Sequence, residues 1–407
     1  MDHPAPPDGW ERGARSLACA AMDLAFTDEE RAFAAEFRAW LDDNLELPPR
    51  FSEFDEEIAW GRRWQAKLAA DRWVGIHWPT EYGGRSASPV QVAIYNLEYG
   101  RSRALQLVNR TGVNLAGPTL LAHGTAEQRT RWLPKILSAE EIWCQLFSEP
   151  EAGSDLAGLR TTATPVEGGW LLNGQKVWTS YAQYSRWGIC LARTDTELPK
   201  HKGISYLVVD MEADGIEVRP LVQITGESEF NEVFFSDVFV PDDHLIGGLN
   251  QGWAVANTTL AHERGTTFPF KEQVVHEVYL DDLYRVAAAE GLLDDPHAAD
   301  ALVQSFVELR VLRLHNWRTL TRLAKDIEPG PESSWIKLAW TDMTQNMAST
   351  AVELCGPAAP LWRGADHLPD DGKWQRQWLW SKAGSIAGGT SEVQKNIVAE
   401  RILGLPR

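Results

Sequence analysis

Short β-prone runs stand together in the middle of this chain, with helical periodicity on both sides and no strand–helix alternation. The runs are GWLLNGQKVWTS (169–180), RWGICLART (186–194), ISYLVVD (204–210), IEVRPL (216–221) and FNEVFFSDVFVP (230–241). Gly, Pro and Asp separate them. Leu171, Asn173 and Gly174 supply turn chemistry, and Gly215 and Gly226 mark further turns. The grouping predicts an antiparallel sheet or barrel of about a hundred residues. No Gly-x-Gly-x-x-Gly follows a strand, which disfavours a Rossmann dinucleotide domain.

Ahead of this block, Thr27 and Glu30 complete a T-x-x-E capping box, and Phe33, Phe37, Trp40 and Leu41 share one helical face. Further helices are expected at 53–70, 90–99, 112–121 and 127–138, the last turned by Pro134. The stretch WVGIHWPTEYGG (73–84) reads as a compact loop. After Gly247 and Gly248 the helical pattern returns. Leu302, Phe306, Leu309, Arg313, Trp317, Leu320 and Ala324 trace one face, with Arg313 the polar exception. Later helices are expected at 333–354 and 391–403. The fold class is therefore α+β: an N-terminal helical domain (22–143), a central antiparallel β-barrel or sheet domain (144–246) and a C-terminal four-helix-type bundle (247–407). Residues 1–21 lack a basic start followed by a long apolar core, so they read as a flexible tail rather than a signal peptide; Met22 could be the true start.

Composition excludes several functions. The net charge is 39 − 57 = −18, spread along the chain, which is wrong for a nucleic-acid surface. No segment approaches the roughly 20 apolar residues of a membrane span. Cys19, Cys144, Cys190 and Cys355 are too scattered for a disulfide framework and fit a reducing cytoplasm, each as a small buried hydrophobe. His201 and His244 have no partners at metal spacing. His262–Glu263 opens like H-E-x-x-H, but Thr266 stands where the second His belongs. No Gly-x-Ser-x-Gly is present. Nineteen tryptophans predict either a Trp-rich core or a wide apolar pocket.

Three segments could carry chemistry. In FSEPEAGSD (147–155), Gly153 and Ser154 either cradle an anion or a cofactor edge, or form a capped turn into a strand. In KVWTS (176–180), Trp178 and its hydroxyl neighbours either wall a planar ring or belong to an ordinary packed strand. AGSIAGGTSEVQKN (383–396) is a Gly-rich turn into a helix capped by Thr390 or Ser391. It either faces an anionic cofactor or simply starts the helix. Taken in order with HGTAEQRTRWLPKIL (123–137) and FNEVFFSDVFVP (230–241), these segments make the chain resemble the flavin-dependent acyl-CoA dehydrogenase family from Met22 to Arg407.

The resemblance implies FAD between the β domain and the C-terminal bundle. Ser148 would meet the flavin ring, Trp178 would pack on it and Ser180 stands where a ring-contacting hydroxyl belongs; Leu146 and Gly153 count with them among the cofactor-binding residues. Ser154 would lie near the pantetheine or phosphate part of CoA, and Thr390 would touch the cofactor beside the closing loop. Many relatives place the catalytic glutamate directly before the Gly-Thr of that loop; here the position is Gly388, whose backbone N–H can still serve the enolate oxygen. Others supply it from the first helix after the β domain, where GWAVANTTLAHER (252–264) offers Glu263. Its alternative is a local pair with Arg264 or a nearby Lys.

Two departures bear on assembly. The Arg and Phe-Gly motif that reaches a neighbour's FAD pyrophosphate is missing from 265–296, and VELCGPAAP (352–360) carries Glu353 for an amide and Pro357 for a Gly. The sequence therefore resembles the bacterial α2β2 branch that acts on CoA esters of steroid side chains, with a distinct acyl-CoA dehydrogenase subunit as partner. Lys271, Arg285 or Arg310 could replace the lost Arg, which leaves a homo-oligomer as the alternative. An electron-transfer flavoprotein is the expected electron acceptor. A non-catalytic partner subunit and an acyl-CoA oxidase are the rival readings.

Overall fold

The structure is a computed structural model that describes residues 26–51, 53–263, 267–325, 327 and 330–406. The expected tail falls outside these residues. The N-terminal unit holds α1 (Asp28–Asn44), α2 (Phe54–Ala70), α3 (Pro89–Arg101), a π turn (Gly112–Ala116), α4 (Gly117–His123) and α5 (Ala126–Ser138). Thr27 and Glu30 cap α1 reciprocally, at 3.2 and 2.7 Å. Phe33, Phe37 and Leu41 are buried, one turn apart each, while Trp40 is half-buried and donates to Asp71 at 2.7 Å. Pro134 sits inside α5 without ending it.

The expected helix at 112–121 opens instead as the π turn. Just before it stands Asn109, fully buried. Its backbone N–H donates to Gln65, its amide donates to the Ile136 and Glu141 carbonyls, and its side-chain oxygen accepts from the Trp143 N–H, all within 3.0 Å. One residue, through its backbone and its side chain, thus ties α2, α5 and the first strand together.

The central unit is one sheet of β1 (Trp143–Leu146), β2 (Thr162–Val166), β3 (Gly169–Ser180), β4 (Trp187–Arg193), β5 (Ile204–Asp210), β6 (Ile216–Leu221), β7 (Phe230–Pro241) and β8 (Leu245–Ile246). The path runs β6-β7-β3-β2-β4-β5-β8, with β1 beside β4. It is mostly antiparallel, as expected, but β1–β4 and a single β2–β4 pair are parallel, making the sheet mixed. Asn173 and Gly174 do not turn the chain. They lie inside β3, where the register against β7 shifts between Leu172 and Gly174, so the sequence's turn chemistry makes a bulge. The β2–β3 hairpin turns at Gly168 instead, with φ +76°.

The C-terminal unit comprises α6 (Gly252–Glu263), α7 (Thr267–Ala289), α8 (Pro296–Leu323), α9 (Glu332–Leu354), α10 (Lys373–Ser381) and α11 (Ser391–Ile397), the last continued by a π turn, Val398–Ile402. The helical face expected on α8 drifts from the observed one: Leu302, Leu309, Leu312, Trp317 and Leu320 are buried, but Phe306 is exposed. Over the first turns the buried stripe runs through Ala298, Leu302, Ser305, Leu309 and Leu312, and at 3.6 residues per turn Phe306 stands about 80° from its centre. Tryptophan serves mainly as core, with Trp73, Trp78, Trp132, Trp143 and Trp374 fully buried.

Asp282 on α7 joins the N- and C-terminal units. It accepts from both Arg103 amino groups at 2.7 and 3.1 Å and from Lys373 Nζ at 2.6 Å. Burial pushes its carboxyl up, but the bonds and charges of Arg103 and Lys373 outweigh burial and hold it down at about 2. A depressed carboxylate adds stability above its unfolded value and loses it as pH falls through its folded value. Asp282→Asn is therefore expected to lower stability at pH 7 by about 2 kcal/mol. In urea titrations the gap between variant and parent should close between about pH 4 and 2; a gap that persists at the acid end would contradict this account.

Candidate functional site

The site is built outward from a buried ion pair that sequence reasoning missed. On β3, Lys176 is fully buried, and its ammonium donates to Glu149 at 2.8 Å and to the Phe147 and Leu191 carbonyls at 3.1 and 2.8 Å. Glu149 also accepts the Arg160 and Thr161 N–H groups at 2.6 and 2.9 Å. Burial pushes the Glu149 carboxyl up, but the Lys176 charge and the bonds from Lys176, Thr161 and Arg160 hold it below the usual range. A lysine buried inside a strand needs such a partner, but β3, with Asn173, Gln175, Thr179 and Ser180 beside it, gives no local sign that Lys176 is the buried one.

The pair pins the segment after β1 against β3, where the Val177 N–H donates to the Ser148 carbonyl at 3.0 Å. Ser148, Trp178 and Ser180 are thus brought together. A register shift between Lys176 and Thr179 frees Trp178 from the ladder, and its backbone is left-handed at φ +60°. Such a conformation is unfavourable for a bulky side chain. Its indole is 61% exposed, with Phe230 edge-on at 6.1 Å. A strained backbone that holds a large ring in solvent fits a planar cofactor covering that ring, which is the contact expected of FAD. Ser180 pairs with Phe230 at the strand end, and the Asn231 amide donates to the Thr179 carbonyl at 3.0 Å.

Gly153 and Ser154 are exposed. A Cβ at Gly153 would meet no atom within 4 Å, so nothing in the chain itself demands glycine there. Leu146 is different: its side chain is fully buried in the inner core of the sheet beside Cys144 and Leu207, so only its backbone could face a cofactor.

The 386–390 turn is tied to α9 and to its own helix. Lys337 Nζ and Thr341 Oγ1 donate to the Gly384 carbonyl at 2.7 and 3.1 Å, Gln394 donates to the Gly388 carbonyl at 3.0 Å, and Thr390 caps α11 through the Val393 N–H at 3.3 Å. Gly388 and Gly389 have φ of +65° and +92°, which any side chain would oppose. Ile386, at the head of this turn, is 67% exposed.

Glu263 is the last residue of α6; its side chain lies outside the described residues. The helix that carries it is firmly seated. Thr259 meets Thr119 at 2.8 Å and Tyr206 at 3.2 Å, and Thr258 meets His123 at 2.8 Å.

Trp178→Gly tests the ring assignment. Glycine fits the left-handed backbone, so the thermal midpoint of the FAD-free chain should hold or rise, while FAD affinity falls roughly tenfold or more. A drop in midpoint with unchanged affinity would assign the indole to packing.

Comparison with known proteins agrees with this architecture. The chain matches the family descriptions "Acyl-CoA dehydrogenase, N-terminal domain" over residues 27–140, "middle domain" over 144–238 and "C-terminal domain" over 250–403. It is 40% identical to the acyl-CoA dehydrogenase IpdE1 of Mycobacterium tuberculosis, over 92% of this chain and 97% of that one. Among solved structures it resembles the Tcur3481-Tcur3483 steroid ACAD (TM-score 0.83, 28% identity, 95% of this chain and 100% of that one). It also resembles the ChsE4-ChsE5 complex from Mycobacterium tuberculosis (TM-score 0.80, 29% identity, 95% and 100%). The chain belongs to the acyl-CoA dehydrogenase family.

Proposed function

We propose that this chain carries out FAD-dependent α,β-dehydrogenation of an acyl-CoA thioester, with Glu263 removing the α proton. The observation that carries the reading is the outward indole of Trp178, held beside Ser148 and Ser180 by the buried Lys176–Glu149 pair. FAD, when bound, supplies the acceptor for the β hydride. Ser148, Trp178, Ser180 and Thr390 would hold it, while Gly153 and Ser154 leave space for the CoA chain. The Gly388 N–H serves the thioester oxygen as negative charge develops there, a task that needs no side chain. Glu263 stands one helical turn beyond Thr259, the best-anchored residue of α6.

The partner is a distinct acyl-CoA dehydrogenase subunit in an α2β2 assembly. Glu353 and Pro357 lie exposed at the end of α9, where a carboxylate and a missing N–H disfavour a neighbour's pyrophosphate. Of the residues that could replace the lost Arg, Arg285 is held by Asp370 at 3.1 Å. The outer face of α8 exposes Val303, Phe306, Val307, Val311 and Leu314, an apolar stripe suited to another subunit. The resemblance to the Tcur3481-Tcur3483 steroid ACAD supports a bulky acyl group. Among the described residues no helix is long and apolar enough to cross a membrane; the enzyme would act in the cytoplasm and pass electrons to an electron-transfer flavoprotein.

The test is flavin bleaching. The chain is co-expressed with candidate partner subunits, and CoA thioesters are added anaerobically to the best-formed complex. Bleaching by an acyl-CoA supports the reading. A flavin that stays oxidised with every thioester assigns the chain to a non-catalytic role, and a homo-oligomer with one FAD per chain and full activity removes the second subunit.

A further inference from the structure

A cavity of about 120 Å3 opens where β3 ends, lined by Glu57, Ile58, Leu105, Val108, Arg110 and Tyr181 among others. It is far below the roughly 300–1,000 Å3 of a pocket for a whole small ligand, so it suits one end of a larger molecule. Its position follows from the residues around it. Tyr181 directly follows Ser180, and its ring stacks on Phe54 at 5.6 Å. Arg110 directly follows the fully bonded Asn109, which fixes its backbone, and precedes the π turn against which α6 packs. The cavity therefore lies between the strand end expected to meet the flavin ring and the support of the helix that carries Glu263.

Its polar groups are close but not closed. Arg110 Nη2 donates to the Tyr181 hydroxyl at 3.3 Å, and its guanidinium lies 5.8 Å from that ring's centroid. Among the described residues neither Arg110, Glu57 nor Glu229 forms a salt bridge within 4.0 Å, and half-buried Lys271 has no hydrogen-bond or ion-pair partner. The neighbouring Glu227 behaves differently, closing a two-pronged pair with Arg376 at 2.6 Å. Burial pushes the Glu57 and Glu229 carboxyls up against the pull of Arg110 and Arg376. Burial, then the charge of Arg110, brings the Lys271 ammonium down to about 8. A guanidinium has five N–H donors and only one is committed here. Enclosing the others without an acceptor is costly.

We propose that this cavity takes the far end of the acyl group and selects one that carries a neutral oxygen there, a ketone or a hydroxyl. The inference rests on the dehydrogenase reading above. Arg110 donates to that oxygen, with Tyr181 beside it. A hydrocarbon end would strand the Arg110 donors. A carboxylate end would add a further negative charge beside Glu57, with Glu229 close behind.

The experiment compares kcat/KM for matched CoA esters on the holo complex: octanoyl against 7-oxooctanoyl, and 3-cyclohexylpropanoyl against its 4-oxo and 4-carboxy derivatives. The parent enzyme should prefer the oxo ester of a pair at least about tenfold, because a site built to bond an oxygen rejects the analogue that lacks it. Arg110→Met should bring that ratio to within about twofold of unity. If Arg110→Met does not fold, Arg110→Lys keeps the charge without the fork and should shrink the ratio without abolishing it. Equal use of oxo and hydrocarbon esters, a preference for the carboxylate, or a preference intact in the variants would overturn the inference. A flavin that no ester bleaches would sink the dehydrogenase reading instead.

Discussion

Glu263→Gln is expected to retain FAD and to lower turnover by roughly 100-fold or more, the usual contribution of a positioned general base. Glutamine keeps the shape of the side chain and removes its capacity to take a proton. The anchors of α6 lie at Thr258 and Thr259, so the helix should stay seated and the flavin spectrum should not change. Loss should therefore fall on the rate of flavin bleaching in a single turnover, with thioester binding largely kept. The sequence leaves few alternatives for the base. Where many relatives have a glutamate, this chain has Gly388, with a left-handed backbone that opposes any side chain. Near-normal bleaching by the glutamine variant would remove Glu263 from catalysis and favour a supporting role for the subunit.

The fold was legible where a local rule coincides with the tertiary outcome. The Thr27–Glu30 box fixes the start of α1, and alternation with turn residues delimits β3 to β7. Legibility failed where one pattern has two physical outcomes. Asn-Gly at 173–174 favours a turn on local grounds but can also make a bulge, and pairing with β7 decides for the bulge. Phe306 is as apolar as Leu309, yet the helix turns it outward. The parallel β1–β4 pairing joins segments far apart in sequence and leaves no local mark. At the site, Trp178 and Ser148 stand in separate sequence motifs. Nothing short-range reveals that Lys176 and Glu149 hold them together, because the pair acts across the sheet. The cluster of Glu57, Arg110 and Tyr181 was invisible for the same reason: its members come from α2, the approach to the π turn and the end of β3.

Lys176→Met is expected to cost about 3–5 kcal/mol of stability, the usual result of removing one partner from a buried ion pair. Glu149 would stay buried without its cation, still tied to the Arg160 and Thr161 N–H groups and unable to move to water. The Phe147 and Leu191 carbonyls would lose their donor as well. Because the Ser148 carbonyl meets β3 at the next residue, Val177, the damage should reach the proposed flavin contacts, and FAD occupancy should fall together with the urea midpoint. Adding Glu149→Gln separates charge from packing: the amide oxygen can still accept from one N–H, while the unpaired charge is gone. The double variant should regain at least about half of the lost stability, a coupling that a mere gap in the core would not produce. A Lys176→Met chain that unfolds within about 1 kcal/mol of the parent would show that the pair is not what holds Trp178 in place.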